Sequence, residues 1–143
     1  MSAAMRVAVG ESFSETIRMT PEDVQAFAKA ANDLNPIHYD ETVAAQSRYK
    51  RLIASGTQVA ARLMALTANY FTVNHAAVGL DFSLRFHKAV FADETIVLEW
   101  RVTEVVDAPT LGGELVHVKG RVLNEAGEVA VTATGRLLVT GKL

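Results

Sequence analysis

The residues best suited to chemistry lie close together in positions 32–40, which read NDLNPIHYD. Asp33 and His38 flank a turn stiffened by Pro36, because proline fixes its own φ and disfavours helix in the residue before it. Such a turn can aim a carboxylate and an imidazole at one water molecule, and that pair can do general acid–base chemistry near neutral pH. The spacing of Asp33 and His38 alone favours a structural role for the acid, because Asp and Asn near a helix end commonly serve as caps or turn residues.

A helix should deliver this turn, and the preceding residues predict one. Thr20 can cap it through its hydroxyl, and Pro21 suits the first helical position. Glu22 and Asp23 complement the positive end of the helix. Apolar residues then recur on one helical face, and the helix should end within residues 32–35, just before the proline.

A second helix and a run of strands follow along the chain. The helix is predicted over about residues 57–71, after the polar start Ser55-Gly56-Thr57, and it is apolar almost all the way round, which is typical of a buried helix. Apolar residues then recur at every second position, which predicts four long antiparallel strands within residues 78–139. Val78, Leu80, Phe82, Leu84 and Phe86 form the predicted inner face of the first of these strands. A short strand over residues 13–19 precedes the first helix.

This order predicts an α+β hotdog fold, a curved antiparallel sheet wrapped around a long buried central helix. The length, 143 residues, suits one domain covering residues 1–143. An open sheet of this kind leaves exposed edge strands, which favour pairing with another copy. A homodimer is therefore expected, and a higher oligomer is compatible with the same argument.

Composition narrows the class of protein. Half of the residues are hydrophobic and the net charge is −2, which argues against disorder and against binding to nucleic acid. The absence of cysteine excludes disulfides, thiolate metal sites and a cysteine nucleophile, and the histidines lack metal-ligand spacing. No stretch approaches the roughly 20 apolar residues of a membrane span. The N-terminus is a poor signal peptide, so a cytoplasmic location is expected.

The string Asp-x-Asn-Pro-Ile-His-x-Asp, which here runs from Asp33 to Asp40, resembles the hydratase motif of the (R)-specific enoyl-CoA hydratases and MaoC-like dehydratases. The resemblance covers nearly the whole chain, because the order of helices and strands also matches that family's hotdog. It implies that Asp33 and His38 hold a water that adds to the double bond of a trans-2-enoyl thioester. It places Asn35 at a turn position beside the substrate, and Asp40 is interpreted as a cap.

The same resemblance extends to the start of the second helix, with one departure. The family usually has Ala-His-Gly where this chain has Ala54-Ser55-Gly56. The Gly56 N–H can still polarise the thioester carbonyl at the helix N-terminus, with Ser55 beside the substrate. Ser55 cannot replace the histidine as a proton donor or steric wall. The implied substrate is an acyl-CoA or acyl-carrier thioester, with CoA present only as part of the substrate and with no cofactor or metal.

Two alternatives remain open. A hotdog thioesterase acts on the same substrates and releases free thiol, although the common thioesterase families lack the Asn-Pro-Ile-His string. A non-catalytic acyl-CoA-binding protein would be stabilised by ligand without turnover, and Ser55 keeps that possibility open. Two basic clusters could contact the phosphates of the carrier, or could be solvated surface. The clusters are Arg48, Lys50 and Arg51, and Arg85, His87 and Lys88.

Overall fold

The structure is a computed structural model that describes residues 6–142. Residues 1–5, on which part of the signal-peptide prediction rests, lie outside that range. The described elements, in chain order, are β1 (Ser12–Arg18), α1 (Pro21–Ala30), a 3₁₀ turn (Pro36–His38), α2 (Glu41–Gln46), α3 (Gly56–Phe71), β2 (Ala76–Phe86), β3 (Thr95–Ala108), a 3₁₀ turn (Pro109–Leu111), β4 (Gly113–Leu123) and β5 (Val129–Thr140).

The strands form one antiparallel sheet in the order β1-β3-β4-β5-β2. Alternate residues of the three inner strands point into the core, as period two requires. Helix α3 packs on that inner face, where the buried Trp100 indole donates a 2.7 Å hydrogen bond from Nε1 to the Leu63 carbonyl. The predicted α+β arrangement of a sheet against a central helix is confirmed.

Helix α3 is covered on one face only. Val59, Leu63 and Leu66 are buried against the sheet, whereas the opposite side of the helix is exposed in the single chain. The apolar residues of that exposed face are Ala61, Met64, Ala65 and Ala68. The predicted burial of α3 on nearly all sides is therefore wrong for an isolated chain, because one sheet can cover only one face of a helix.

Strand β2 also departs from the predicted alternation. The pairing with β5 shifts between Gly79 and Asp81, so Leu80 is an extra residue at a bulge. A bulge reverses which side chains face inward. Phe82 and Leu84 pack against the core as predicted, but Val78, Leu80 and Phe86 are 57%, 48% and 54% exposed, so their predicted place on the inner face is wrong.

Side-chain caps hold the start of α1 and the segment between α1 and α3. The Thr20 hydroxyl accepts the Asp23 N–H at 3.2 Å, as predicted. Asp40 caps α2 by accepting the N–H groups of Thr42 and Val43, also as predicted. Helix α1 ends slightly earlier than expected, at Ala30, before Asn32 adopts a left-handed φ of 56° that redirects the chain. None of the helices within residues 6–142 has the length and apolarity to cross a bilayer.

Candidate active site

The turn after α1 brings Asp33 and His38 together. Their closest atoms, Asp33 Oδ2 and His38 Nε2, are 3.6 Å apart. That separation is too long for a direct hydrogen bond and short enough for one water to contact both groups. The predicted convergence of these two side chains is therefore present in the geometry.

His38 is fixed by a backbone group from a distant part of the chain. Its Nδ1 lies 2.7 Å from the carbonyl oxygen of Ile53, and the side chain is almost completely buried. A carbonyl can only accept, so Nδ1 carries the hydrogen. In the neutral ring this leaves the Nε2 lone pair directed toward Asp33.

Asp33 accepts hydrogen bonds at both carboxylate oxygens. The Asn35 N–H donates to Oδ1 at 3.1 Å, and the Ser55 hydroxyl donates to Oδ2 at 3.0 Å. The Asn35 N–H, then the Ser55 hydroxyl and the nearby His38 hold the pKa of the Asp33 carboxyl below its usual value, against an opposing effect of burial. Asp33 is therefore ionised at neutral pH.

When the His38 ring is neutral, the ionised carboxylate and the Nε2 lone pair present two acceptors to the space between them. A water there can donate one hydrogen to each, which leaves an oxygen lone pair free to attack an electrophile. Two acceptors around one water make an arrangement suited to hydration chemistry.

The start of α3 lies against this pair. Ser55 is the N-cap residue, is 1% exposed, and directs its hydroxyl to Asp33 without capping its own helix. Gly56 and Thr57 occupy the first turn, where backbone N–H groups have no acceptor inside the helix. Both residues are exposed, and the positive end of the helix dipole lies at this end of α3.

Asn35 has a local structural role. Its side-chain oxygen accepts the Ile37 N–H at 3.4 Å and caps the 3₁₀ turn that carries His38. The predicted contact of Asn35 with substrate stays a prediction.

An open cleft of about 260 Å³ runs beside His38 and Gly56. Most of the other side chains that line it are apolar. They include Ile53, Val59, Phe86, Val90 and Val131, with Tyr49, His87 and Lys88 among the remaining residues. A second, larger cleft of about 590 Å³ lies across the outer face of β1, β3 and β4, and neither Asp33 nor His38 lines it.

Sequence reasoning missed the Ser55–Asp33 hydrogen bond and two other parts of this site. The Ile53 carbonyl orients His38, and a backbone acceptor leaves no trace in side-chain type. Phe86 lies over the start of α3, with its Cε1 3.1 Å from where a Gly56 Cβ would sit. Phe86 is the last apolar residue of β2, and this position could have indicated that its side chain extends past the sheet.

The chain is similar to known proteins over most of its length. A family model described as "MaoC like domain" matches residues 6–132. A curated relative is the (R)-specific enoyl-CoA hydratase of Aeromonas caviae, 28% identical over 131 residues that cover 91% of this chain and 93% of the relative.

Solved structures agree in fold. The (R)-hydratase from A. caviae involved in PHA biosynthesis aligns with a TM-score of 0.83 and 26% identity, covering 92% of this chain and 96% of that one. The R-hydratase PhaJ1 from Pseudomonas aeruginosa aligns with a TM-score of 0.82 and 28% identity, covering 95% and 84%. The hotdog fold predicted from the sequence is confirmed by these matches.

Proposed function

The chain belongs to the family of MaoC-like domains, and on that premise we propose that it reversibly adds water to a trans-2-enoyl thioester to give an (R)-3-hydroxyacyl thioester. The observation that carries the proposal is the 3.6 Å gap between Asp33 Oδ2 and His38 Nε2, the right size for a shared water. The hydratase relatives support the reaction class.

In the proposed reaction, the water between Asp33 and His38 attacks the β-carbon of the enoyl group. As the C–O bond forms, one water proton passes to the acid–base pair. A proton returns from the pair to the α-carbon, so the net change is addition of H and OH across the double bond. Dehydration is the same sequence reversed.

The start of α3 provides the second proposed element of catalysis. While the β-carbon is attacked, negative charge develops on the thioester oxygen. The N–H of Gly56, helped by the helix dipole, is proposed to stabilise that charge. The neighbouring cleft, which both His38 and Gly56 line, is proposed to hold the acyl group, and neither cofactor nor metal is assigned to the reaction.

The test is a panel of trans-2-enoyl-CoA substrates of increasing chain length, followed by the loss of conjugated-enoyl absorbance. The wild-type chain should consume at least one of them. Asp33→Asn and His38→Ala should each lower the rate by about a hundred- to ten-thousand-fold, the usual effect of losing an acid–base group. Retained thermal unfolding transitions would show that both variants fold, and full activity in both would overturn the proposal.

The same panel separates the alternatives. A thiol-trapping dye would detect free CoA if the protein were a thioesterase. Thermal stabilisation by acyl-CoA with no turnover of any substrate would indicate a binding protein. Either outcome would replace hydration as the function.

We further propose that the working unit is a homodimer. Strand β2 is an edge strand whose Val78 and Leu80 are exposed, and α3 carries the exposed apolar face described above. Large exposed apolar surface next to an unpaired strand edge favours association with a second copy.

A further inference from the structure

We infer that Ser55 is a positioning residue for Asp33: its hydroxyl holds the carboxylate in the orientation that faces the shared water. This inference rests on the proposed hydration for its meaning in catalysis. It concerns a position at which the resembled family usually has histidine, so it is specific to the serine of this chain.

The Ser55–Asp33 hydrogen bond joins distant parts of the chain through a buried donor. Ser55 Oγ donates to Asp33 Oδ2 at 3.0 Å, across 22 positions of sequence, and Ser55 is 1% exposed. Asp33 Oδ2 is also the oxygen nearest His38 Nε2. The hydroxyl therefore fixes the carboxylate oxygen that would contact the water.

Ser55 makes this contact in place of an ordinary helix cap. A serine at the N-cap position usually accepts an N–H from the first turn of its own helix. In this chain the Ser55 side chain makes no such bond. Its hydroxyl is therefore committed to Asp33 and not to its own helix, and the Gln58 N–H of the first turn bonds to the Ser55 carbonyl instead.

The groups around the Asp33 carboxylate allow the effect of Ser55 on its pKa to be measured. Within the described residues, the titratable group that faces the carboxylate is His38, while the turn supplies the Asn35 N–H and α3 supplies the Ser55 hydroxyl. Ser55 is thus a removable, uncharged donor. Its loss should loosen the carboxylate and make protonation easier, without changing the net charge of the site.

The experiment compares Ser55→Ala and Ser55→Thr with the wild-type chain. The Ala variant should lose about ten- to a hundred-fold in kcat with KM little changed, the scale of a hydrogen bond to a charged group. The acid limb of its rate profile should move to higher pH. The Thr variant, which keeps the hydroxyl, should recover most of kcat and return the limb toward its original position.

A matched control removes another buried hydroxyl from the same helix. Thr67 is 2% exposed and donates to the Met64 carbonyl at 2.7 Å. Thr67→Val should leave kcat and the acid limb unchanged. If Thr67→Val lowered kcat as much as Ser55→Ala does, general damage to α3 would explain the Ser55 effect. That result would overturn the inference.

A second measurement needs no substrate. The carboxyl ¹³C signal of Asp33, assigned by its disappearance in Asp33→Asn, is titrated in the wild-type chain and in Ser55→Ala. Its midpoint should lie at higher pH in the Ala variant. If the wild-type chain hydrates no thioester but this midpoint moves, the proposed function fails and the Ser55–Asp33 coupling stands. An unmoved midpoint would overturn the inference.

Discussion

At the scale of single residues, the site depends on contacts that no local pattern encodes. The motif around Asp33 and His38 was recognisable from the resemblance of the whole string to the hydratase motif, because the spacing of the two residues alone favoured a structural role. The Ser55–Asp33 bond and the Ile53 carbonyl on His38 join positions far apart in sequence, so spacing could not predict them. Sequence reasoning therefore predicted the candidate pair but not the groups that orient it.

The lowered pKa of Asp33 predicts a pH dependence of stability. A carboxyl whose folded pKa lies below its unfolded value stabilises the native state above the unfolded pKa, and this stabilisation is lost as pH falls through the folded pKa. The free energy of unfolding of the wild-type chain should thus decrease more than that of Asp33→Asn between about pH 6 and about pH 3. Urea unfolding at a series of pH values measures this, and parallel curves for the two proteins would contradict it.

At the scale of elements, caps and turns were predictable and register was not. Thr20 was predicted to cap α1 from its residue type, and Asp40 was interpreted as a cap from its place after the motif histidine. Both side chains accept N–H groups at the start of a helix. The bulge at Leu80 was not foreseen, because an apolar alternation continues unbroken through an inserted residue. Which face a strand presents depends on pairing with its neighbour, and that information is not local.

The start of α3 predicts the outcome of Gly56→Ala. The new methyl group would lie 3.1 Å from Phe86 Cε1, and Phe86 is 54% exposed, so the ring can move aside. The melting temperature should change little, while crowding of the cleft should raise KM for enoyl-CoA severalfold. Steady-state kinetics and thermal melts measure both effects. The control is the same substitution in a chain that lacks the ring. If Gly56→Ala raises KM as much in a Phe86→Ala background as in the wild-type chain, contact with the Phe86 ring is not the cause.

At the scale of the whole molecule, the exposed surface of β2 and α3 gives a prediction about assembly. A lysine on an edge strand disfavours pairing with another strand. Leu80→Lys should therefore lower the mass measured by light scattering from that of a dimer to that of a monomer. Val9→Lys is a matched control, because Val9 is 64% exposed and its segment bonds to β3, away from the β2 edge.

A dimeric Leu80→Lys variant, or a monomeric wild-type chain, would contradict the predicted interface.

The sequence indicated that a partner was needed because the predicted sheet had unpaired edges. The surface itself came from the structure, since the bulge at Leu80 and the one-sided cover of α3 decide which apolar groups are left exposed.

The central claim, that Asp33 and His38 act on one water, is tested most directly by comparing Asp33→Asn, His38→Ala and the double variant in the enoyl-CoA hydration assay. Residues that act as a unit have non-additive effects, so the double variant should be about as slow as the slower single variant. Rate losses that multiply in the double variant would contradict a shared water, as would a double variant that hydrates at the wild-type rate.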